Sequence, residues 1–190
     1  TIDERMNIAR PEATGKPVFY RHLLQPIAAT NDRGDNVLVD LQSADQKAAP
    51  PGARDSRFMG RTATHWIELT FEAPLDEFSR PTLLAHGWVE YPYSQTMFAA
   101  WQADAAYEAP TIEAQAADGD WVTVLEQFGY PAGMPREMSV PLEGLPPNCR
   151  KLRITTNQEI YWDYLAVIDA EECAEAKLHT LRLERAELAE

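Results

Sequence analysis

Apolar and polar residues alternate along much of the central part of the chain. In "HWIELTF", residues 65–71, every second residue from Ile67 to Phe71 is apolar, which is the period of a half-buried β-strand. The stretch "PTLLAHGWVEY", residues 81–91, is mostly apolar and predicts a strand buried on both faces. In "TIEAQAADGDWVTVLEQ", residues 111–127, two alternating runs flank Asp118-Gly119, which favours a tight hairpin turn.

Further strands are predicted on both sides of this central part. They are residues 17–27, 36–41, "MSVPL" at 138–142, "KLRITT" at 151–156 and "IYWDYLAVI" at 160–168. Residues 42–61 and 127–137 are interrupted by proline and glycine and predict surface loops. Many short strands with frequent turns indicate an all-β fold, and we predict an antiparallel β-sandwich of the jelly-roll, galactose-binding-like type.

The length of 190 residues predicts a single β-sandwich domain that spans residues 1–190 and buries a core without disulfide or metal support. Within it, residues 1–16 are interpreted as an extended leader. Residues 170–190 are interpreted as a linker followed by a terminal strand or helix. Cys149 and Cys173 fit a disulfide and two free thiols equally well, so they do not identify the compartment.

The charge balance excludes some classes of partner. Seventeen basic and thirty acidic residues give a formal net charge of −13, which repels phosphate backbones and argues against nucleic acid. No apolar run approaches the roughly 20 residues that span a bilayer, so membrane insertion is not expected.

No recognised catalytic motif occurs in the sequence. None of the four histidines stands in a metal-binding pair, no serine lies in a GxSxG elbow, and there is no glycine-rich phosphate loop. We therefore predict a chain without catalytic residues. A hydrolase built from scattered carboxylates stays open as an alternative, because thirty acidic residues would bring two together by chance.

Aromatic residues are concentrated in "HGWVEYPYSQTMFAAWQ", residues 86–102. The candidate ligand-binding residues are Trp88, Tyr91, Tyr93 and Trp101, because aromatic faces can stack on the C–H patches of sugars. The same rings would also serve as bulk in a sandwich core, where each buries about 150–250 Å². Pro92 interrupts the strand between the two tyrosines, so that part is expected at the surface.

The polar segment "TNDRGDN", residues 30–36, holds the candidate metal ligands. Asp32 and Asp35 could contribute oxygen ligands to one structural calcium ion. The segment lacks the spacing of an EF-hand loop, and its Gly and Asx residues alone predict a turn into the next strand. No other cofactor is expected.

In "KLRITTNQEIYWDYLAVI", residues 151–168, two β-like runs flank a polar tripeptide. We interpret residues 157–159 as the turn of a hairpin. Asp163 then lies on a strand between aromatic rings, where a carboxylate needs a partner. That partner could be an arginine such as Arg153, backbone amides or a ligand.

Two segments carry a family resemblance. "EQFGYPAGMPREMSVPLEGLPP" and "KLRITTNQEIYWDYLAV" resemble the C-terminal region of large bacterial proteins that carry FG-GAP (VCBS) repeats, an ASPIC/UnbV-type domain or tetratricopeptide arrays. In those proteins a "GFPAG.PK" loop precedes a strand and then "LRI.TN..IYWD". The matching positions are Gly129, Tyr130, Pro131, Ala132, Gly133, Pro135, Thr156, Asn157, Ile160, Tyr161, Trp162 and Asp163.

The resemblance implies an accessory domain of a long exported or cell-surface protein, and it carries over no catalytic residue. The ASPIC/UnbV sequence and the FG-GAP calcium motif are absent from this chain. The function we predict is a non-catalytic interaction or assembly domain, with neighbouring domains of the parent protein or a second copy as partners. The alternative is a carbohydrate-binding module that uses the surface aromatic residues to bind a glycan.

Overall fold

A computed structural model describes residues 7–9, 17–132, 134–177 and 179. Within these ranges the chain forms ten β-strands and one α-helix. Their bounds are Asn7–Ala9 (β1), Val18–Leu24 (β2), Ala28–Asn31 (β3), Arg61–Thr70 (β4), Pro81–Val89 (β5), Ser94–Gln102 (α1), Thr111–Gln115 (β6), Trp121–Leu125 (β7), Arg136–Pro141 (β8), Lys151–Gln158 (β9) and Ile160–Glu171 (β10).

The strands form two five-stranded antiparallel sheets. The first sheet has the order β1-β2-β10-β5-β8, and the second has the order β3-β4-β9-β6-β7. Neither sheet closes into a barrel, and the predicted all-β sandwich is confirmed. The last two strands in the sequence, β9 and β10, each lie at the centre of one sheet.

The hydrophobic core lies between the sheets and is built by alternate side chains of the central strands. Leu152 and Ile154 on β9 and Leu165 on β10 are almost completely buried there. The prediction that β5 is buried on both faces is correct. Its Leu83 belongs to the main core, whereas the neighbouring Leu84 belongs to a second apolar cluster.

A β-bulge interrupts the pairing of β10 with β5. The register shifts between Trp162 and Tyr164, so Asp163 is the extra residue. The opposing position is Gly87, where a Cβ atom would lie 2.2 Å from the carbonyl oxygen of Tyr161. Glycine therefore permits the close approach of the two backbones at the bulge.

Two local predictions need correction. Residues 36–41 do not form a strand, because Val39–Leu41 is a short 3-10 helix that buries Leu41. The helix α1 was not predicted, although its residues include good helix formers such as alanine, methionine and glutamine. Only Ala100 of this helix is buried, so its sequence lacks the apolar stripe that normally marks a surface helix.

The predicted hairpin around residues 157–159 is wrong. Because β9 belongs to one sheet and β10 to the other, Glu159 is the single residue at which the chain crosses between them. The residues of the expected turn are also buried, with Asn157, Gln158 and Glu159 only 3–4% exposed. Alternation identifies strands correctly here, but it contains no information about which sheet each strand joins.

Both ends of the described chain contribute to the first sheet. The predicted leader contains β1, which pairs with β2, and β10 extends to Glu171. Leu178 and residues 180–190, where a terminal strand or helix was predicted, lie outside the described residues. In the described ranges no helix has the length and apolar character needed to cross a membrane.

Candidate functional site

Three segments meet at the end of the sandwich where β9 crosses to β10. The N–H of Glu90 donates to the carbonyl of Glu159 (3.0 Å), and the N–H of Glu159 donates to the carbonyl of Gly60 (2.9 Å). The hydroxyl of Thr156 donates to the carbonyl of Glu108 (2.7 Å). The crossover therefore supports both the 42–61 loop and the segment that contains α1.

The side chain of Glu159 is a buried hydrogen-bond acceptor at this end of the sandwich. Its Oε1 accepts hydrogen bonds from Nε of Arg54 (2.6 Å) and from the hydroxyl of Tyr161 (2.5 Å). Arg54 also donates to the Tyr161 oxygen (2.7 Å). Burial, followed by the bond to Glu159, raises the pKa of Tyr161, so the phenol stays protonated and donates. The Arg54 guanidinium balances the buried carboxylate, which is a structural role.

Trp88 stacks on Tyr161 across the first sheet. The ring centroids are 5.4 Å apart and the planes differ by 10°. Each ring therefore has one face occupied by the other, and Trp88 is half-buried. The candidate residue Trp88 is therefore part of a stacked pair of rings on the face of the first sheet.

The bulge residue Asp163 is fully buried. Its Oδ2 accepts a hydrogen bond from the backbone N–H of Gln46 (3.1 Å) and lies 3.2 Å from Nδ1 of His86. The His86 contact lacks hydrogen-bond geometry, and Asp163 Oδ1 has no hydrogen-bond partner in the described part of the chain. Of the three partners left open by the sequence, a backbone amide is the one observed.

Arg153 is not that partner, because it lies on β9 in the opposite sheet. There it donates to Glu68 through Nε (3.1 Å) and Nη2 (2.5 Å). Its guanidinium also lies between the rings of Trp66 (5.0 Å) and Trp121 (4.0 Å). Sequence reasoning missed this arrangement because its members come from three different strands. Because the guanidinium contacts both the carboxylate and the two rings, this cluster stabilises the face of the second sheet.

Exposed apolar side chains are concentrated on and just before α1. Tyr91, Tyr93, Met97, Phe98 and Trp101, together called the α1 aromatic surface, are 40–68% exposed. These five make up half of the ten exposed large hydrophobic residues in the described part of the chain. Their concentration in eleven consecutive residues is the feature that distinguishes this end of the molecule, because scattered apolar residues are normal on protein surfaces.

Helical geometry explains how α1 presents these side chains. Ala100 is fully buried and Thr96 is half-buried, and these two residues lie one turn apart on the inward side. Met97, Phe98 and Trp101 therefore lie on the outward side. Phe98 and Trp101 contact each other with centroids 5.7 Å apart and planes tilted by 31°.

The four candidate aromatic residues do not form one flat platform. Trp88 stacks on Tyr161, Tyr91 contacts Tyr130 at a tilt of 52°, and Trp101 contacts Phe98. No ring contact joins any two of the four candidates in the described part of the chain. The structure adds Met97 and Phe98 to the exposed set, and the signal that could have found them is their helical spacing with Trp101.

The candidate calcium ligands lie in a closed turn. Asn31 Nδ2 (3.1 Å) and Arg33 Nε (3.2 Å) both donate to Oδ2 of Asp35, and these bonds lower the pKa of Asp35. Asn31 Oδ1 accepts from the backbone N–H of Asp35 (2.9 Å). No group of three His, Cys, Asp or Glu side chains that could hold a metal ion, with Asp32 or without it, occurs among the described residues.

A groove of about 1060 Å³ lies at the opposite end of the sandwich, beside the start of β5 and the end of β10. None of the aromatic or acidic candidates lines it. Three of its carboxylates are engaged: Asp76 accepts from two backbone N–H groups, Glu171 pairs with Arg21, and Glu172 pairs with Arg80. The groove is therefore a space between chain segments that these contacts hold together.

No protein-family model matches the chain, and no curated protein matches it.

Proposed function

We propose that this chain is a non-catalytic interaction domain that docks onto another protein through the α1 aromatic surface. The observation that carries the proposal is the concentration of exposed Tyr, Met, Phe and Trp side chains on one short segment. Aromatic residues and methionine are enriched at protein interfaces, and contiguous exposed apolar patches mark interaction sites. The resemblance to accessory domains of large bacterial proteins is consistent with this role, and neighbouring domains of such a parent are candidate partners.

The support beneath α1 favours recognition by a preformed surface. The segment is tied to the sheet crossover at Glu90 and Glu108, and Ala100 is the residue of the helix that is fully buried. A surface held in this way loses little conformational entropy on binding, which improves affinity.

The glycan alternative is less well supported by the ring geometry. Sugar platforms present accessible ring faces, whereas Trp88 has one face covered by Tyr161. Phe98 and Trp101 are exposed, but their planes are tilted relative to each other. For the fold itself we propose the jelly-roll, galactose-binding-like subtype of the sandwich, which is compatible with either function.

A comparison of variants tests the proposal. The wild-type chain and the Phe98→Ser/Trp101→Ser variant are used to capture proteins from a source extract, and each captured protein is then purified and tested as a binary complex. The matched control is Val122→Ser, which removes an exposed apolar side chain from β7. We expect at least one binary complex that the control retains and the double variant loses, with unchanged thermal stability for both variants.

A glycan array with calcium and with EDTA tests the alternative on the same proteins. Glycan binding that disappears in a Tyr91→Ala/Tyr93→Ala variant would replace the docking function by sugar recognition. Loss of that binding in EDTA would assign a structural ion. Equal behaviour of wild type and the Phe98→Ser/Trp101→Ser variant in every binary complex would refute the docking proposal.

A further inference from the structure

We infer that the partner of the α1 aromatic surface presents an apolar face flanked by basic side chains, and that it is not a second copy of this chain. This inference rests on the proposed function and specifies the chemistry of its partner. It is carried by the distribution of charge around α1 and by the position of Asp104.

The chain has no lysine or arginine between residues 81 and 135, although this range contains seven carboxylates. Three of these, Glu90, Asp104 and Glu108, flank the α1 aromatic surface in the sequence and are exposed. None of the three forms an ion pair within the described ranges. The rim of the surface therefore presents uncompensated negative charge.

Three arginines of the 42–61 loop and the start of β4 do not cancel this charge, because each is already paired with another carboxylate. Arg54 pairs with Glu159 (2.6 Å), and both Arg57 (2.9 Å) and Arg61 (2.8 Å) pair with Asp55. Arg61 reaches the connection after α1 and donates to the carbonyl of Ala106, but its side chain is only 19% exposed.

Asp104 occupies a position where its charge opposes local stability. Its N–H donates to the carbonyl of Trp101 (3.1 Å), and the N–H of Ala105 donates to the carbonyl of Ala100 (2.8 Å), which is the Schellman pattern of a helix C-terminus. Asp104 has a φ of 54° in this motif, where Gly or Asn is usual. A carboxylate there also faces the negative end of the helix macrodipole. Residues that break such local rules are expected at functional sites.

Charge complementarity indicates which kind of partner fits the α1 aromatic surface. A symmetric dimer through this face would bring two sets of like charges together, and such contacts are unfavourable. A surface with Lys or Arg around an apolar face would instead bury the aromatic side chains and pair with the rim carboxylates. The match of aromatic centre and charged rim is the usual anatomy of a specific interface.

A model peptide separates the apolar contribution to binding from the electrostatic contribution. The probe is a fluorescent amphipathic helical peptide of about 14 residues, made of leucine and lysine, and its counterpart contains glutamate in place of lysine. Both are titrated with the wild-type chain at about 50 and about 300 mM salt. We expect binding of the lysine peptide only, with weaker binding at high salt.

Variants assign this binding to the surface. Phe98→Ser/Trp101→Ser should weaken it about thirtyfold or more. Asp104→Asn/Glu108→Gln should weaken it about tenfold and reduce the salt dependence. The control Glu77→Gln/Glu143→Gln removes two exposed carboxylates beside the distant groove and should bind like the wild type. Sedimentation velocity should show a monomer.

The outcomes distinguish the inference from the proposed function. If the apolar variant loses binding but the Asp104/Glu108 variant behaves like its control, the requirement for basic side chains is refuted and the docking surface stands. If the wild type is a dimer and the Phe98→Ser/Trp101→Ser variant is a monomer, the partner of this surface is a second copy of the chain. If the lysine peptide does not bind, or the glutamate peptide binds equally well, the inference fails. If the apolar variant binds like wild type, the proposed function fails as well.

Discussion

The backbone N–H of Gln46 donates a hydrogen bond to Oδ2 of Asp163 across 117 residues of sequence. Gln46 has a φ of 70°, so this residue adopts a left-handed conformation to reach the carboxylate. On either side, Gln42 and Ala49 form β-bridges with Tyr164 and Trp162 of β10. One buried carboxylate at a bulge therefore fixes the position of a loop that has no strand of its own.

Replacing Asp163 should destabilise the domain. In Asp163→Ala the Gln46 N–H loses its acceptor, and we expect the free energy of unfolding to fall by about 1–3 kcal/mol. Asp163→Asn retains an oxygen that can accept this bond and should lose less. Urea unfolding checks both variants, and an alanine variant as stable as the wild type would remove the anchoring role.

Glycine at position 60 should be essential for stability. Its φ is +71°, and a Cβ atom would lie 2.1 Å from the carbonyl oxygen of Glu90. We expect Gly60→Ala to cost roughly 2–5 kcal/mol from backbone strain and overpacking together. Gly34 is the matched control, because its φ is +81° but nothing lies within 4 Å of its Cβ position. Gly34→Ala should cost only about 1–2 kcal/mol, and equal losses in thermal unfolding would contradict the packing argument.

Stability should decrease with falling pH in a way that depends on His65. This side chain is 5% exposed, and burial lowers its pKa below the ordinary value of 6.5, although Asp32 acts in the opposite direction. The unfolded chain therefore takes up a proton on His65 at a higher pH than the folded chain does. The free energy of unfolding should fall as pH decreases from about 6.5 towards the folded pKa, and this group contributes no pH dependence above that window.

The comparison with His65→Asn isolates this effect. An asparagine amide can donate to the carbonyl of Ala63, which lies 3.1 Å from Nδ1 of His65. Unfolding measured between about pH 7.5 and 5.5 should show a smaller slope for the variant. Parallel curves would show that His65 is protonated equally in both states.

The two cysteines should react at different rates with a thiol reagent. Both are free thiols, which resolves the alternative left open by the sequence. Cys149 is fully buried, and burial raises its pKa, whereas Cys173 is partly exposed. Because the thiolate is the reacting species, Cys173 should be labelled first in the native protein and Cys149 only on unfolding. Mass spectrometry of a labelling time course distinguishes the sites, and simultaneous labelling would contradict the described burial.

Neutralising Asp104 should stabilise the isolated chain. Asn keeps the shape of the side chain and tolerates the left-handed conformation, but it removes a negative charge from the helix C-terminus. We expect Asp104→Asn to raise the free energy of unfolding by about 0.3–1 kcal/mol at low salt. Chemical unfolding of this single variant at low and high salt measures the gain, and a loss of stability would show that the carboxylate has an intramolecular role.

Alternation of apolar residues predicted most of the strands, including β4, β5, the β6–β7 hairpin and β8 to β10. It failed at the crossover, since the pattern on either side of Glu159 is the same whether the two strands share a sheet or not. It also failed at α1, whose outward face is as apolar as its inward face. Of the candidate aromatic residues, Tyr91, Tyr93 and Trp101 are exposed as a binding site requires, and their grouping with Met97 and Phe98 depends on a helix that periodicity did not reveal.

The order of strands has a consequence for synthesis of the protein. Because β9 and β10 are the central strands of the two sheets and come last among the ten, the earlier strands can form only separate two-stranded pairs. Isolated pairs of this kind are marginally stable in water. The nascent chain therefore stays unfolded until residues 151–171 have left the ribosome, and then both sheets assemble together around one contiguous stretch. Until then the core residues of the chain stay exposed, which makes this stage of synthesis prone to aggregation.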